Sequence, residues 1–312
     1  MKNEVFFSLK NQALFCFLCS VGVLLSAPSS YEYDTHHILL LILSIATFFI
    51  AKKSTLVKAL SIAACLKAIH SLAYSQLLFY VYDVLSNSYY EIISFLILVE
   101  LPILFAIVKV KELPAKVFLA ILAITIFMQK LMPFTDSTAL WVVLESFSFY
   151  VFLISLVLFF IASYSISLNK VSRNLSVLAL VASAFVLFVA LTGVLFEFND
   201  RSGSPSFDSL AGDYSTYAIC RKIIHYSSCL IFIAGVLKAS YFANFLKSSK
   251  MALKRACIPA IVGMLLFGVV YAIAAYHDNA GFNLWSYSDL VLIKSVVYIL
   301  LAYSFYAFYR SV

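Results

Sequence analysis

The sequence predicts an all-α polytopic integral membrane protein: a bundle of about ten transmembrane helices with both termini cytoplasmic. Three observations carry that expectation. The 312 residues are 63% hydrophobic and only 12% charged, with a mean hydropathy of +1.00. A soluble surface needs roughly a quarter charged residues, so a water-soluble domain is excluded. Apolar runs recur along the whole chain, and each spans ~30 Å of hydrocarbon with about 20 residues at 1.5 Å rise. Finally, the charges between runs alternate in sign. Lys and Arg gather at Lys2/Lys10, Lys52/Lys53/Lys58, Lys109/Lys111/Lys116, Lys170/Arg173, Lys247/Lys250/Lys254/Arg255 and Arg310. Acidic residues take the alternate junctions, at Glu32/Asp34, Asp83/Glu91, Asp136, Glu197/Asp200/Asp208/Asp213 and Asp278/Asp289. Basic residues are retained on the cytoplasmic side, which makes the number of crossings even. The runs are continuously apolar rather than alternating, which selects helices over a barrel.

The expected spans follow in order. The first, 12–27, has a basic start and small residues before Pro28, and it also fits a cleaved secretory signal. Span 36–51 is short and opens with His37. Span 56–80 contains Lys67 and His70, which share one helical face. Span 89–109 opens at Glu91 and has Glu100 near its centre, antiparallel to the third. Span 116–133 carries Lys130 near its outer end, level with Glu145 in span 140–166. Span 175–196 leads into the acidic, Ser- and Gly-rich connection 197–218, which reads as a mobile flap. Arg221, Lys222 and His225 crowd the outer start of span 219–245, whose Lys238 sits close enough to the cytoplasmic end to snorkel. Spans 256–276 and 288–309 complete the set, the last with Asp289 one turn from Lys294.

The connections exclude several function classes. None on the cytoplasmic side exceeds roughly ten residues, and no phosphate loop, zinc spacing or nucleophile elbow occurs. The net charge of +7 reflects cytoplasmic anchoring and gives no reason to expect nucleic acid. The six cysteines lie in or beside apolar spans and offer no disulfide framework. Cys16 and Cys19 read as apolar filler. Alternating-access transporters place paired Gly/Pro interruptions in two related halves, and that pattern is missing.

An ionised group at mid-bilayer costs ~2.5–3.5 kcal/mol even on the lenient scales, so the intramembrane charges must face inward, pair or neutralise. Taken singly they read as structural pairs: Lys67 with Glu100, Lys130 with Glu145, and Lys294 with Asp289. Taken together, His37, His70, Glu91, Glu145 and Lys222 concentrate in the outer half of their spans. If those spans surround one bundle, they line a pocket open to the exterior. Imidazoles and carboxylates are competent donors for a metal ion or a haem, though the pattern identifies no cofactor.

These residues also resemble the third type of membrane-associated sensor domain, an eight-helix bacterial and archaeal module. Its His-Thr-x-x-Glu-x-x-Ser pattern is matched by His37 and Ser44, with Leu41 where Glu is expected. Its His-Thr-Leu-Ala-Tyr resembles His70-Ser71-Leu72-Ala73-Tyr74, and its Tyr-x-Glu-x-x-Ser resembles Tyr89-Tyr90-Glu91-Ile92-Ile93-Ser94. Met132-Pro133, Thr138 and Glu145 keep a further spacing, and Lys222-Ile223-Ile224 another, although Ala218-Ile219 replaces a Gly-His. The resemblance covers roughly residues 30–245. It implies residues 1–245 as a sensor-like bundle, with 246–312 as two added helices in place of a cytoplasmic output domain. The expected function is a sensor or receptor in a bacterial or archaeal inner membrane. It would bind a small ligand from outside and signal through a membrane or cytoplasmic partner. A carrier for a metal, haem or small solute is the alternative, and an intramembrane enzyme using His70 with Glu91 or Glu100 is third.

Overall fold

A computed structural model describes residues 6–27, 34–51, 54–80, 93, 95–131, 143–144, 146–165, 169–201, 216–248, 251–280 and 287–312. Glu91, Glu145, the side chains of His225 and Asp289, and most of the 197–218 connection lie outside this description. The described residues are helical almost throughout and include no strand. Ten α-helices are formed among them: α1 Leu9–Leu25, α2 Asp34–Ile50, α3 Thr55–Tyr80, α4 Leu101–Lys109, α5 Leu113–Lys130, α6 Phe147–Ser165, α7 Lys170–Arg201, α8 Thr216–Asn244, α9 Met251–Ala280 and α10 Tyr287–Ser311. Seven of these, α3 and α5 to α10, contain stretches long and apolar enough to cross a bilayer. The 17-residue helices α1 and α2 are apolar but shorter.

Local chemistry explains the irregular places. Ser8 caps α1 by accepting the Asn11 N–H at 3.3 Å. Pro114 lies in the first turn of α5, where a missing N–H costs nothing. Pro102 has no N–H to give to the Leu98 carbonyl and crowds it, and the turn before it, Leu96–Glu100, is a π-helix. Pro259 is carried inside α9, and nearby the Ser304 hydroxyl of α10 donates to the Ala256 carbonyl at 2.6 Å.

The helices form two groups around a central one. α2 packs on α3, and α4 packs between α3 and α5. On the other side α6 packs on α7, α7 on α8, α8 on α9 and α9 on α10. Between the groups runs α1, in contact with α3, α5, α6 and α10, with 13 of its 17 residues buried. Phe15 stacks on Phe118 of α5 at 4.7 Å, Cys16 Sγ donates to the Ser155 carbonyl of α6 at 3.3 Å, and Phe17 meets Tyr306 of α10 at 5.1 Å. The segment that also fits a removable signal therefore supplies the middle of the core, and taking it out would leave a void against four helices. α9 and α10 are equally integral, through α8 and α1.

At one end of the bundle the beginning and end of the chain meet. Tyr309 donates to Glu112 Oε2 at 3.0 Å, and Lys10 Nζ lies 5.6 Å from the centre of the same tyrosine ring. Lys109, Lys111, Lys116 and Arg310 lie close by in sequence on these same elements.

With no hydrophobic driving force between helices in lipid, close approach decides association, and small residues permit it. A Cβ on Gly235 would fall 2.8 Å from the Gly268 Cα and 2.8 Å from the Met264 carbonyl oxygen. Both obstacles are backbone, so α8 and α9 would have to separate. Gly235→Val is expected to destabilise the protein by about 1–3 kcal/mol through overpacking. Thermal melting in detergent checks this, against Val236→Ala as a surface control. A melting temperature unchanged in Gly235→Val would show that the crossing is not close-packed.

Candidate functional site

The residues nominated from sequence do not all come together. Lys222 is exposed on α8, which packs against α7 and α9. His37, Lys67, His70 and Lys130, by contrast, are delivered to one region by α2, α3 and α5. The common neighbour of Lys67, His70 and Lys130 is an apolar residue, Phe95, which is fully buried. Lys67 Nζ lies 4.9 Å from the centre of the Phe95 ring and Lys130 Nζ 4.2 Å from it. The His70 ring meets the same phenylalanine edge-on, with centroids 6.4 Å apart, and lies parallel to Tyr74 at 6.1 Å. A ring face attracts a cation by ~0.5–1 kcal/mol when exposed and by about 2 when desolvated. Phe95 therefore holds two lysines that the bilayer alone would not tolerate.

Lys67 is 0% exposed and also donates to Ser71 Oγ, one helical turn on, at 2.7 Å. Glu100, suggested as its partner, is half-buried, and its Oε1 has no hydrogen-bond partner among the described residues. The suggested partners of Lys130 and Lys294 lie outside the description. Lys294 Nζ sits 5.6 Å from the centre of Tyr271, whose hydroxyl is hydrogen-bonded to Tyr298 at 2.7 Å.

The residue that sequence reasoning passed over is His36. Its ring packs edge-on against His37 at 4.9 Å, and both histidines are buried. It lies within electrostatic reach of Lys67, and Lys67 and Lys130 both lie within reach of His70. His36 Nδ1 is 2.5 Å from Ser295 Oγ, which joins α2 to α10. Ser295 has one hydroxyl proton and gives it to the Val291 carbonyl at 2.8 Å. Within the pair, donor and acceptor follow from the imidazole tautomer. His36 Nε2 is enclosed, and the Leu24 backbone carbonyl lies against the ring as a candidate acceptor for its N–H. Beside it, Ser75 donates to Asp34 Oδ1 at 2.9 Å and ties the first turn of α2 to α3. A second basic side chain behaves unlike its expectation. Lys238 does not snorkel: it is 0% exposed, its Nζ has no hydrogen-bond partner among the described residues, and it lies 4.6 Å from the centre of the Phe267 ring.

The described site is thus a basic, imidazole-rich group: Lys67, His70 and Lys130 around Phe95, with His36 and His37 beside Lys67. It can attract negative charge. Among the described residues no group of three or more His, Cys, Asp or Glu is placed to hold a metal ion. No protein-family model, curated protein or solved structure matches the chain.

A neutral hydrogen bond between buried side chains is worth ~0.5–1.5 kcal/mol, and the cycle His36→Phe with Ser295→Ala is expected to return a coupling of that size. Denaturation in detergent measures it. Additive single effects would show that α2 and α10 are not linked there.

Proposed function

We propose that this chain is a ten-span receptor of a bacterial or archaeal cell membrane, with both termini cytoplasmic. In this reading it binds a small acidic solute from outside and passes occupancy to a partner. The observation that carries the reading is the convergence of Lys67, His70 and Lys130 from two helices onto Phe95, with His36 of α2 within electrostatic reach of Lys67 and His37 packed on His36. Basic groups held this deep in apolar helices are functional by default, because a purely structural bundle gains nothing from them. Glu91 and Glu145 complete the expected ligand set from the connections after α3 and α5. The order of the sensor-like motifs over residues 30–245 supports the same assignment.

The two lysines would neutralise the ligand's acidic group. Because His36 Nδ1 bonds Ser295, a change of its ring orientation on binding reaches α10 directly. That gives occupancy a route to the C-terminal helices without a cytoplasmic domain. The side assignment is supported by the basic end where Lys10, Glu112 and Tyr309 meet, since Lys and Arg remain inside.

A carrier is the second reading, and Lys238 is the observation that favours it, as a second buried amine toward the opposite end of the bundle. Uptake by purified protein in sealed liposomes separates the two, since a receptor accumulates no solute.

Two outcomes are expected. Fluorophores that mature only in the cytoplasm should be bright at both termini, and a dark one at either end would remove the orientation. Screening small carboxylates and phosphates by thermal shift should find a class that stabilises the wild type by about 2.7 kcal/mol at a hundredfold excess over its dissociation constant. Lys67→Met and His36→Phe should each abolish that shift. A panel with no active member, or a shift indifferent to both substitutions, would end the receptor reading at this site.

A further inference from the structure

Glu100 is an intramembrane acid that the site above does not use. It lies nine residues before Lys109, or ~13–14 Å of helical rise, and so about half-way through a ~30 Å hydrocarbon layer. It closes the π turn Leu96–Glu100, a distortion found disproportionately at functional sites. α4 packs against α3 and α5 on one side. On the other, Ile97, Leu101, Leu104, Phe105 and Val108 are all more than 45% exposed and form one stripe. Half-buried Glu100 borders that stripe. Among the described residues its Oε1 is enclosed without a hydrogen-bond partner, and no cation pairs with the carboxyl.

We propose that this face of α4 docks a transmembrane helix of another protein that carries a lysine or arginine at mid-bilayer, with Glu100 as its counter-charge. Lipid tails cover an apolar stripe equally well, but they can neither pair with a carboxylate nor hydrogen-bond to it. A second copy of this chain is the wrong complement. Its Lys67 and Lys238 are fully buried, and Lys130 and Lys294 sit against the rings of Phe95 and Tyr271. Across a two-fold axis it would also set Glu100 against Glu100. Opposite charges interact strongly where water is absent, so one basic residue at matched depth suffices to select a partner helix. The inference rests on the bilayer-spanning reading of α4 and not on the ligand site.

The test uses the full chain in lipid nanodiscs and synthetic single-span leucine–alanine peptides, one with a central lysine and one without. Energy transfer between labelled chain and peptide reports association. The lysine peptide is expected to bind about tenfold more tightly than the all-apolar one, and Glu100→Gln should remove that preference. With Glu100 left intact, a photo-crosslinker at Leu104 should label the lysine peptide, and one at Val181 on α7 should not. This arm holds even if Glu100→Gln fails to fold. Equal binding of the two peptides, a preference that survives Glu100→Gln, or crosslinking from Leu104 to a second copy of the chain would each overturn the proposal.

Discussion

The structure depends on the burial of α1. Two helix groups, α2–α5 and α6–α10, would each present an inner face with nothing to pack against, and α1 fills the space between them. A helix in that position must be acceptable all round, and α1 has no polar stripe: Gln12 and Ser20 are buried with the rest and find partners within the chain. Gln12 Nε2 donates to the Phe6 carbonyl at 2.9 Å, and Ser20 donates back to the Cys16 carbonyl at 2.7 Å. In lipid, where association comes from packing and not from expulsion of water, a central helix touching four others has no substitute.

The intramembrane cations follow one rule that the fold makes possible. Lys67 and Lys130 lie against Phe95, Lys238 against Phe267 and Lys294 against Tyr271. Aromatic faces supply negative potential without charge, which lowers the cost of placing these amines in a low-dielectric interior. Phe95 lies just before the π turn of α4, so the distortion that Pro102 imposes and the residue that supports two lysines belong to one short segment.

Much of this was legible beforehand, for a reason that also marks the boundary. Apolar runs report on where helices lie, a property of long stretches, and each described helix falls where those runs fall. Contacts inside the bundle depend instead on helix rotation and approach, which single positions do not encode. Lys238 shows the difference. Its distance along the chain from the basic end allowed the side chain to reach water, but the Gly235–Gly268 crossing brings α8 and α9 so close that the amine is sealed between them. His36 and His37 are adjacent, and motif spacing selects His37. Rotation of α2 buries both and turns His36 to Ser295. Phe95 gave no signal at all, because one phenylalanine among 29 reads as filler.

These constraints bear on how a change at the outer end could travel. α10 is tied to both groups and to α1: it meets α2 through Ser295, α1 through Tyr306, and α9 through Tyr298 and Ser304. Continuous packing runs along it. Phe149 stacks on Tyr271 at 4.9 Å, Tyr271 bonds Tyr298, and Phe152 meets Tyr298 at 5.2 Å. Further along, Phe305 and Phe308 join a set of rings with Phe159, Phe242 and Phe245 that ends near the junction of α8 and α9. Close-packed aromatic interiors respond to displacement by switching between arrangements rather than by bending. In the receptor reading, a shift of His36 against Ser295 would be transmitted along α10 as a repacking, toward the end where Tyr309 holds Glu112.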